Sequence, residues 1–315
     1  MKAIYINKYG SADQLEYGDL KRPTPDTEEL LVKVHASSVN PVDWKMREGL
    51  LKLVKGFKFP RQLGKDFAGE VVETGSEVTR FKKGDRIWGQ LPGTSAGSYA
   101  EFVVAPDESV GAMPKNLDFK EAASIPLAAL TALQSLRDKG AIKEGDEVLI
   151  NGASGGVGTA AVQIAVALGA IVTGVCSEKN AEFVKSLGAA HVINYEVEDF
   201  TESRKKYDII CEFVGNASFG KCKNVLNQRG TYVTANPKPA SLLGGFLSSV
   251  FSSKKQKIIF TKPSPEDLDF LSELVSEGKL KPIIDKTYKL RELAEAHQYS
   301  EKGHARGKIV IDVVG

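Results

Sequence analysis

EVLINGASGGVG, residues 147–158, is the stretch that decides the fold of this chain. An apolar run, Val148–Ile150, passes through one asparagine into Gly152, and Gly155, Gly156 and Gly158 follow. Glycine tolerates the tight turn and lets backbone approach a ligand closely. The residues after the glycines have helix-compatible composition, so the reading is strand, turn, helix. A helix that starts there presents unpaired N–H groups and the positive end of its dipole to a pyrophosphate. Glycine spacing alone is weak evidence; the flanking strand and helix make it a dinucleotide-binding signature.

The same alternation continues downstream. Residues 171–176 (IVTGVC) form a strand, 180–187 a helix closed by Gly188, and 191–194 a strand that ends before Tyr195. Strands are expected at 208–214 (DIICEFV) and 230–235 (GTYVTA). Strands alternating with helices predict a parallel sheet covered on both faces. Upstream, Leu127, Leu130, Leu133 and Leu136 give residues 120–138 a helical spacing. The first hundred residues are different: short β-branched and aromatic runs at 30–36, 69–73, 86–90 and 98–104 are separated by turns such as Gly84-Asp85, which suggests a barrel-like domain. The opening MKAIYINKYG also has the character of a strand. Residues 237–256, rich in Pro, Gly, Ser and Lys, are expected to form a flap or surface loop, and Lys254, Lys255 and Lys257 a solvated loop. A helix at 266–277 and a strand at 308–313 complete the chain.

The end of the second strand of the alternating region bears on which dinucleotide is held. NAD sites place an acid there, about 20 residues beyond the glycines, for the ribose 2′-hydroxyl. Here Cys176 is followed by Ser177, Glu178, Lys179 and Asn180. Ser177 can donate to a 2′-phosphate and Lys179 can neutralise it, which favours NADPH. Glu178 dissents, since an acid at this place suits NAD.

With 315 residues, a net charge of +2, 42% hydrophobic and 26% charged residues, the chain has the composition of a globular protein of about two domains, with no global pull toward nucleic acid or an anionic membrane. Three cysteines without paired spacing fit a reducing compartment. No stretch has the ~18 apolar residues of a membrane span or the apolar core of a secretory leader, and the expectation is a cytoplasmic protein.

Taken together, the chain resembles the medium-chain dehydrogenase/reductase superfamily, in particular its zinc-free quinone oxidoreductases of the zeta-crystallin type. The likeness is greatest to plant enone oxidoreductases and chloroplast-envelope quinone oxidoreductase homologues. The blocks that carry it are 38–49 (SVNPVDWKMREG), 64–89 (GKDFAGEVVETGSEVTRFKKGDRIWG), 98–103 (SYAEFV), 123–136 (ASIPLAALTALQSL), 151–158 (NGASGGVG), 185–195 (KSLGAAHVINY) and 303–310 (GHARGKIV). The resemblance implies an α/β protein with a GroES-like β-barrel catalytic domain over residues 1–118, resumed over 260–315, and a Rossmann, doubly wound parallel-sheet cofactor domain over 119–259. It also implies a homodimer.

Zinc-dependent relatives carry Cys where this chain has Asn40, and Gly-His-Glu where it has Gly64-Lys65-Asp66. The four histidines, His35, His191, His297 and His304, show no ligand spacing, and no metal is expected. The implied activity is zinc-independent transfer of a hydride from NADPH to the C=C of an α,β-unsaturated carbonyl or to a quinone. The alternatives are a quinone reductase without enone activity and a non-enzymatic NADPH-binding protein. By resemblance, Asn40 and Lys45 are the catalytic candidates at the nicotinamide end. The cofactor-binding candidates are Thr131, Gly155, Gly156, Val157, Ser177, Lys179, Asn180, Tyr195, Ala235, Asn236, His304 and Ala305. At the position of Lys45 the zeta-crystallin branch has a tyrosine, so the chain departs from that branch there. Residues 50–62 and 237–256 are expected to shape the substrate end.

Overall fold

The structure, a computed structural model, describes residues 1–50, 52, 58–93, 96–237 and 253–314. The chain divides into two compact units. The first comprises Met1–Leu127, Lys262–Glu277 and Pro282–Gly315; the second comprises Ala128–Thr261 with Gly278–Lys281.

The first unit begins with β1 (Lys2–Ile6), β2 (Glu16–Asp19), β3 (Glu29–Val39), α1 (Pro41–Arg47), β4 (Arg61–Gln62), β5 (Asp66–Thr74), β6 (Arg86–Gln90), β7 (Phe102–Pro106), β8 (Val110–Ala112) and α2 (Phe119–Ala123). The long β3 is the spine: it pairs antiparallel with β5, and also with β7 through Glu29–Lys33. Leu30, Val32 and Val34, alternate residues of β3, enter a core with Phe67, Val71 and Ile87. A small sheet, β2-β1-β4, adds Ile4 and Ile6 to a second core with Leu63 and Tyr99.

The chain passes into the second unit within α3 (Pro126–Gln134). Instead of one helix over 120–138 there are three pieces: α2, α3 and a π-helical turn, Ser135–Gly140. Pro126 accounts for the first break, since it lacks an N–H and disfavours helix in the residue before it. Next come β9 (Glu147–Asn151), α4 (Gly156–Ala167), β10 (Ile171–Cys176), α5 (Ala181–Ser186), β11 (His191–Asn194), β12 (Tyr207–Glu212), α6 (Phe219–Cys222), β13 (Leu226–Thr234) and β14 (Lys255–Ile258). All pairings in this sheet are parallel, in the order β11-β10-β9-β12-β13-β14. The apolar runs of β9, β10 and β12 are buried, as a sheet covered on both faces requires. Gly188, at φ +106°, ends the α5 region in the left-handed conformation expected of it.

Residues 238–252 lie outside the described residues, as do 51 and 53–57 of the 50–62 stretch. The lysine cluster is not simply a solvated loop: Lys255 and Lys257 belong to β14, and Lys257 Nζ donates to Lys139 O at 2.7 Å.

The chain then returns to the first unit with α7 (Pro265–Ser276), β15 (Ile284–Lys289), α8 (Leu293–Glu301) and β16 (Lys308–Asp312). Ser264 caps α7 by accepting from Asp267 N at 3.1 Å. β16 pairs antiparallel with β3, Ile309 opposite Val39, and β15 pairs parallel with β16. β15 and α8 carry mixed polar and half-buried residues and gave no clear periodic signal in the sequence.

Candidate active site

In the second unit, the chain runs outward from β9 to β10 and β11, then returns past it to β12, β13 and β14. The carboxyl ends of β9 and β12 therefore flank a topological switch point, where open α/β sheets bind ligands. The glycine loop lies there. Gly152 sits at φ +86°, and its N–H and that of Ala153 donate to Val175 O at 3.2 and 3.1 Å, which ties the turn to β10. A Cβ on Gly158 would lie 2.0 Å from Gly152 O, so this position admits no side chain. A Cβ on Gly155 would meet only Gly152 O, at an ordinary 3.5 Å. Packing therefore does not require glycine at 155, but close approach of a ligand would. Gly155 is the N-cap of α4, no side chain caps that end, and its first turn carries no acid. The amides of Gly156 and Val157 belong to this first turn, whose N–H groups have no intrahelical partners.

At the end of β10, Ser177 is buried, and Asn180 Nδ2 reaches Ser177 Oγ at 3.2 Å and Ser154 Oγ at 3.3 Å. Asn180 thus joins the glycine loop to the turn after β10. Lys179 is exposed. Glu178 Oε2 accepts from Asn194 Nδ2 at 3.0 Å, which draws this acid toward the end of β11. Tyr195 follows β11, is 54% exposed, and donates its N–H to Cys176 O at 3.2 Å.

The ends of β12 and β13 carry a network that sequence reasoning missed. Glu212 is buried; its Oε1 accepts from Asn151 Nδ2 at 3.0 Å, Val214 N at 3.0 Å and Gly215 N at 2.8 Å. Burial raises its pKa and these donors oppose the rise. Ala235 N donates to Glu212 O at 3.3 Å, and Asn236 Nδ2 to Phe213 O at 2.7 Å. Glu212, Asn216, Tyr232, Thr234 and Asn236 line a pocket of about 320 Å³. The available signal was an acid at the carboxyl end of an otherwise apolar strand. Thr131 is buried in this unit, its Oγ1 2.6 Å from Thr261 Oγ1.

In the first unit, α1 carries Lys45. This side chain is half-buried, with Nζ 5.4 Å from the Trp44 ring centroid, and burial lowers its pKa. Asn40 is the N-cap of α1 and only 2% exposed. Both ends of its amide are engaged inside the protein: Nδ2 donates to Asp66 Oδ2 at 2.8 Å, and Oδ1 accepts from Lys308 Nζ. Asp66 also accepts from Ser38 Oγ at 2.7 Å and Leu127 N at 2.8 Å, with Lys308 Nζ 3.4 Å away. Lys65 is buried and donates to Gly93 O at 2.7 Å. An amide, an ammonium without a lone pair and a carboxylate already receiving several donors make a poor zinc-ligand set. Among the described residues no group of three or more His, Cys, Asp or Glu could hold a metal ion. His304 is exposed and Ala305 packs against the core containing Leu293 and Ile309. His35 stacks on Phe119 at 4.0 Å, while His297 is buried beside Arg47 and its pKa is lowered to about 3, chiefly by burial.

Asp43, also unforeseen, is fully buried in the first turn of α1. Its Oδ2 accepts from Asn40 N at 2.9 Å and Tyr99 OH at 3.0 Å, and burial pushes its pKa up to about 6. An unfolded aspartate titrates near ~3.9. Between these values the native state holds a proton that the unfolded chain has lost. The stabilisation is therefore complete below about pH 4 and lost as pH rises through about 6. Asp43→Asn is expected to flatten this part of the profile, by about 2–3 kcal/mol at most. Urea midpoints at pH 4.5 and 7.5 check it; an unaltered difference between the two would contradict the assignment.

Comparison with known proteins places these features in context. Residues 26–115 match the family model described as alcohol dehydrogenase GroES-like domain, and residues 187–311 the one described as zinc-binding dehydrogenase. The chloroplast envelope quinone oxidoreductase homolog of Arabidopsis thaliana is 37% identical over 99% of this chain and 98% of its own length. The human mitochondrial NAD(P)H oxidoreductase RTN4IP1 is 37% identical over 100% of this chain and 89% of its own. Among solved structures, the quinone oxidoreductase from Coxiella burnetii superposes with a TM-score of 0.92 at 35% identity, covering 99% of both chains. The Escherichia coli quinone oxidoreductase complexed with NADPH gives 0.87 at 26% identity, over 99% of this chain and 100% of that one. The relatives overturn the expectation of a cytoplasmic protein: they are chloroplast-envelope, chloroplastic and mitochondrial proteins. Sparse unpaired cysteines fit any reducing compartment, so they do not distinguish cytosol from an organelle interior. Among the described residues no helix is long and apolar enough to cross a membrane.

Proposed function

The chain belongs to the quinone oxidoreductase-like branch of the medium-chain dehydrogenase/reductase superfamily and is an oxidoreductase, and from this premise we propose that it is a zinc-independent NADPH-dependent reductase of α,β-unsaturated carbonyls and quinones. Support for a dinucleotide comes from the glycine loop at the switch point, where Gly155 leaves room for a group that packing does not demand. Gly156 and Val157 would hold the pyrophosphate, Tyr195 would lie along the adenosine side, and Ala235, Asn236 and Thr131 would bound the nicotinamide side. His304 and Ala305, which belong to the first unit, would be further cofactor contacts. When bound, the reduced nicotinamide supplies a hydride.

The observation that carries the reaction class is the engagement of Asn40 and Asp66. With the amide and carboxylate already bonded, and an ammonium at 65, the positions that relatives use for zinc offer little to polarise a carbonyl oxygen. Hydride addition at the carbonyl carbon would build localised alkoxide charge. Addition at the β-carbon spreads charge over an enolate, which hydrogen-bond donors can stabilise. Lys45, with its pKa lowered by burial, suits delivery of the α-proton, directly or through water. Asn40 acts from inside the protein, as the cap of the helix that carries Lys45. Several relatives are described as quinone oxidoreductases or their homologues, and a quinone has the same conjugated acceptor as an enone. The homodimer that the resemblance implies remains part of this reading; among the described residues β14 is the last strand of its sheet.

Product analysis with an enone such as 3-buten-2-one tests the reaction. The saturated ketone is the expected product; an allylic alcohol as the main product would sink the proposal.

Preference for NADPH rests on Ser177 and Lys179, with Glu178 drawn away by Asn194. Changing both Ser177 and Lys179 to Ala is expected to weaken NADPH roughly 10- to 100-fold, and NADH far less, since a charge-assisted hydrogen bond contributes ~1.5–3 kcal/mol. Titrations of both cofactors check this. A wild-type protein that binds NADH more tightly would refute the assignment.

A further inference from the structure

We propose that Lys308 and Asp66 are positioning residues that fix the first turn of α1 and thereby the placement of Lys45, an inference that deepens the reading above and rests on it for its catalytic consequence.

α1 has seven residues, far fewer than the roughly 12–15 at which an isolated helix begins to hold in water. Something outside it must fix where it starts. Three strands converge on that start. β3 carries Ser38 and runs directly into Asn40, β5 delivers Asp66 opposite Ser38, and β16 delivers Lys308, one residue from the Ile309–Val39 pair. Lys308 Nζ donates to Asn40 Oδ1 and to Val39 O at 3.2 Å, while Asn40 Nδ2 donates to Asp66 Oδ2 at 2.8 Å. An amide with a donor on its oxygen and an acceptor on its nitrogen has a single orientation. The Asn40 backbone N–H is bonded to Asp43 Oδ2 within the helix, so that orientation is passed into the first turn. The far end of α1 is held as firmly: Arg47, with no exposed side-chain surface, donates to Gly10 O at 3.0 Å, pairs with Glu301 at 2.8 Å and touches His297 Nδ1 at 3.1 Å.

This is a costly way to close a core. Lys308 and Asp66 are both buried, and apolar residues of similar volume often stabilise as well as a buried ion pair or better. Apolar side chains lie on the same strands, Val39 on β3 and Ile309 and Ile311 on β16. An apolar pair would fill the space but would not orient the Asn40 amide. What the charged pair adds is direction, and the side chain that α1 carries with a burial-shifted ammonium is Lys45.

The test compares a disruptive and a conservative pair of substitutions, each free of an orphaned charge. Lys308→Met with Asp66→Asn removes the charge and the donor to Asn40 Oδ1; Lys308→Gln with Asp66→Asn keeps a donor to Asn40 without the charge. Three quantities are measured: the Kd for NADPH, the kcat and KM for 3-buten-2-one, and the labelling rate of Lys45 by trinitrobenzenesulfonate, located by peptide mass spectrometry. In the Met/Asn protein the NADPH Kd and the substrate KM are expected to stay within about two-fold, kcat to fall about 10- to 100-fold, and Lys45 to label several-fold faster, since an ångström of misplacement can cost that much. The Gln/Asn protein is expected to regain most of the loss. If the Met/Asn protein does not fold, Asn40→Ala, which removes the clamped amide and leaves the ion pair, is expected to release Lys45 in the same way. Unchanged Lys45 labelling in a folded disruptive variant overturns the proposal. Faster labelling with unchanged kcat supports the positioning and instead removes Lys45 from the reaction.

Discussion

Replacement of Lys45 by alanine is expected to lower kcat with 3-buten-2-one by about 10²-fold or more while leaving NADPH affinity nearly intact, because general acid assistance is typically worth ~10²–10⁴-fold. The expectation follows from where the ammonium stands. Lys45 is half-buried on α1, with Nζ 5.4 Å from the Trp44 ring centroid, and burial lowers its pKa. Asn40, the other candidate from the sequence, has both amide ends engaged by Asp66 and Lys308, so Lys45 is the better placed donor of the two. Steady-state kinetics with fluorescence titration of NADPH separates the effects. A loss of only a few-fold in kcat would reduce Lys45 to a positioning role. A matching rise in the NADPH Kd would make it a cofactor contact.

Two glycines of one loop should respond differently to the same methyl group. In Gly158→Ala the new carbon would lie 2.0 Å from Gly152 O and 2.8 Å from the Ala153 Cα, all of it backbone. The turn cannot yield easily, since Gly152 and Ala153 are both tied to Val175 O. Overpacking of this kind costs about 1–3 kcal/mol or more, so the variant is expected to melt several degrees lower and to lose cofactor binding with the fold of the loop. In Gly155→Ala the methyl meets only an ordinary 3.5 Å contact, and φ −83°, ψ 177° suits alanine. That variant is expected to melt close to wild type yet bind NADPH roughly 10- to 100-fold more weakly, because the methyl would stand where the pyrophosphate approaches the helix amides. Thermal melts with and without NADPH distinguish the two, since a bound ligand raises the midpoint by mass action. Full NADPH affinity in Gly155→Ala would move the pyrophosphate elsewhere.

The α/β class and most of its elements were legible because they rest on local patterns. The strand at 171–176 lies where its β-branched run places it, α4 starts among the glycines, and Gly188 adopts the left-handed conformation. Periodicity and glycine chemistry act over a few residues, which is the range a sequence displays. The break of the 120–138 helix was also written locally, in Pro126, but the leucine spacing on either side concealed it. Organelle residence in the relatives has no counterpart in composition. Tertiary structure alone decided the polar interior. Asn40 and Lys308 are 268 residues apart, Asp66 and Lys308 242, and Arg47 and His297 250. In KIVIDV, Lys308 has the look of an ordinary strand-end lysine, and in GKDFAG, Asp66 of a turn residue. A charge is tolerated inside a protein only when folding brings a partner to it. Such partners are chosen by the spatial convergence of β3, β5 and β16 and by the penalty for leaving a buried ion alone, neither of which exists in the extended chain.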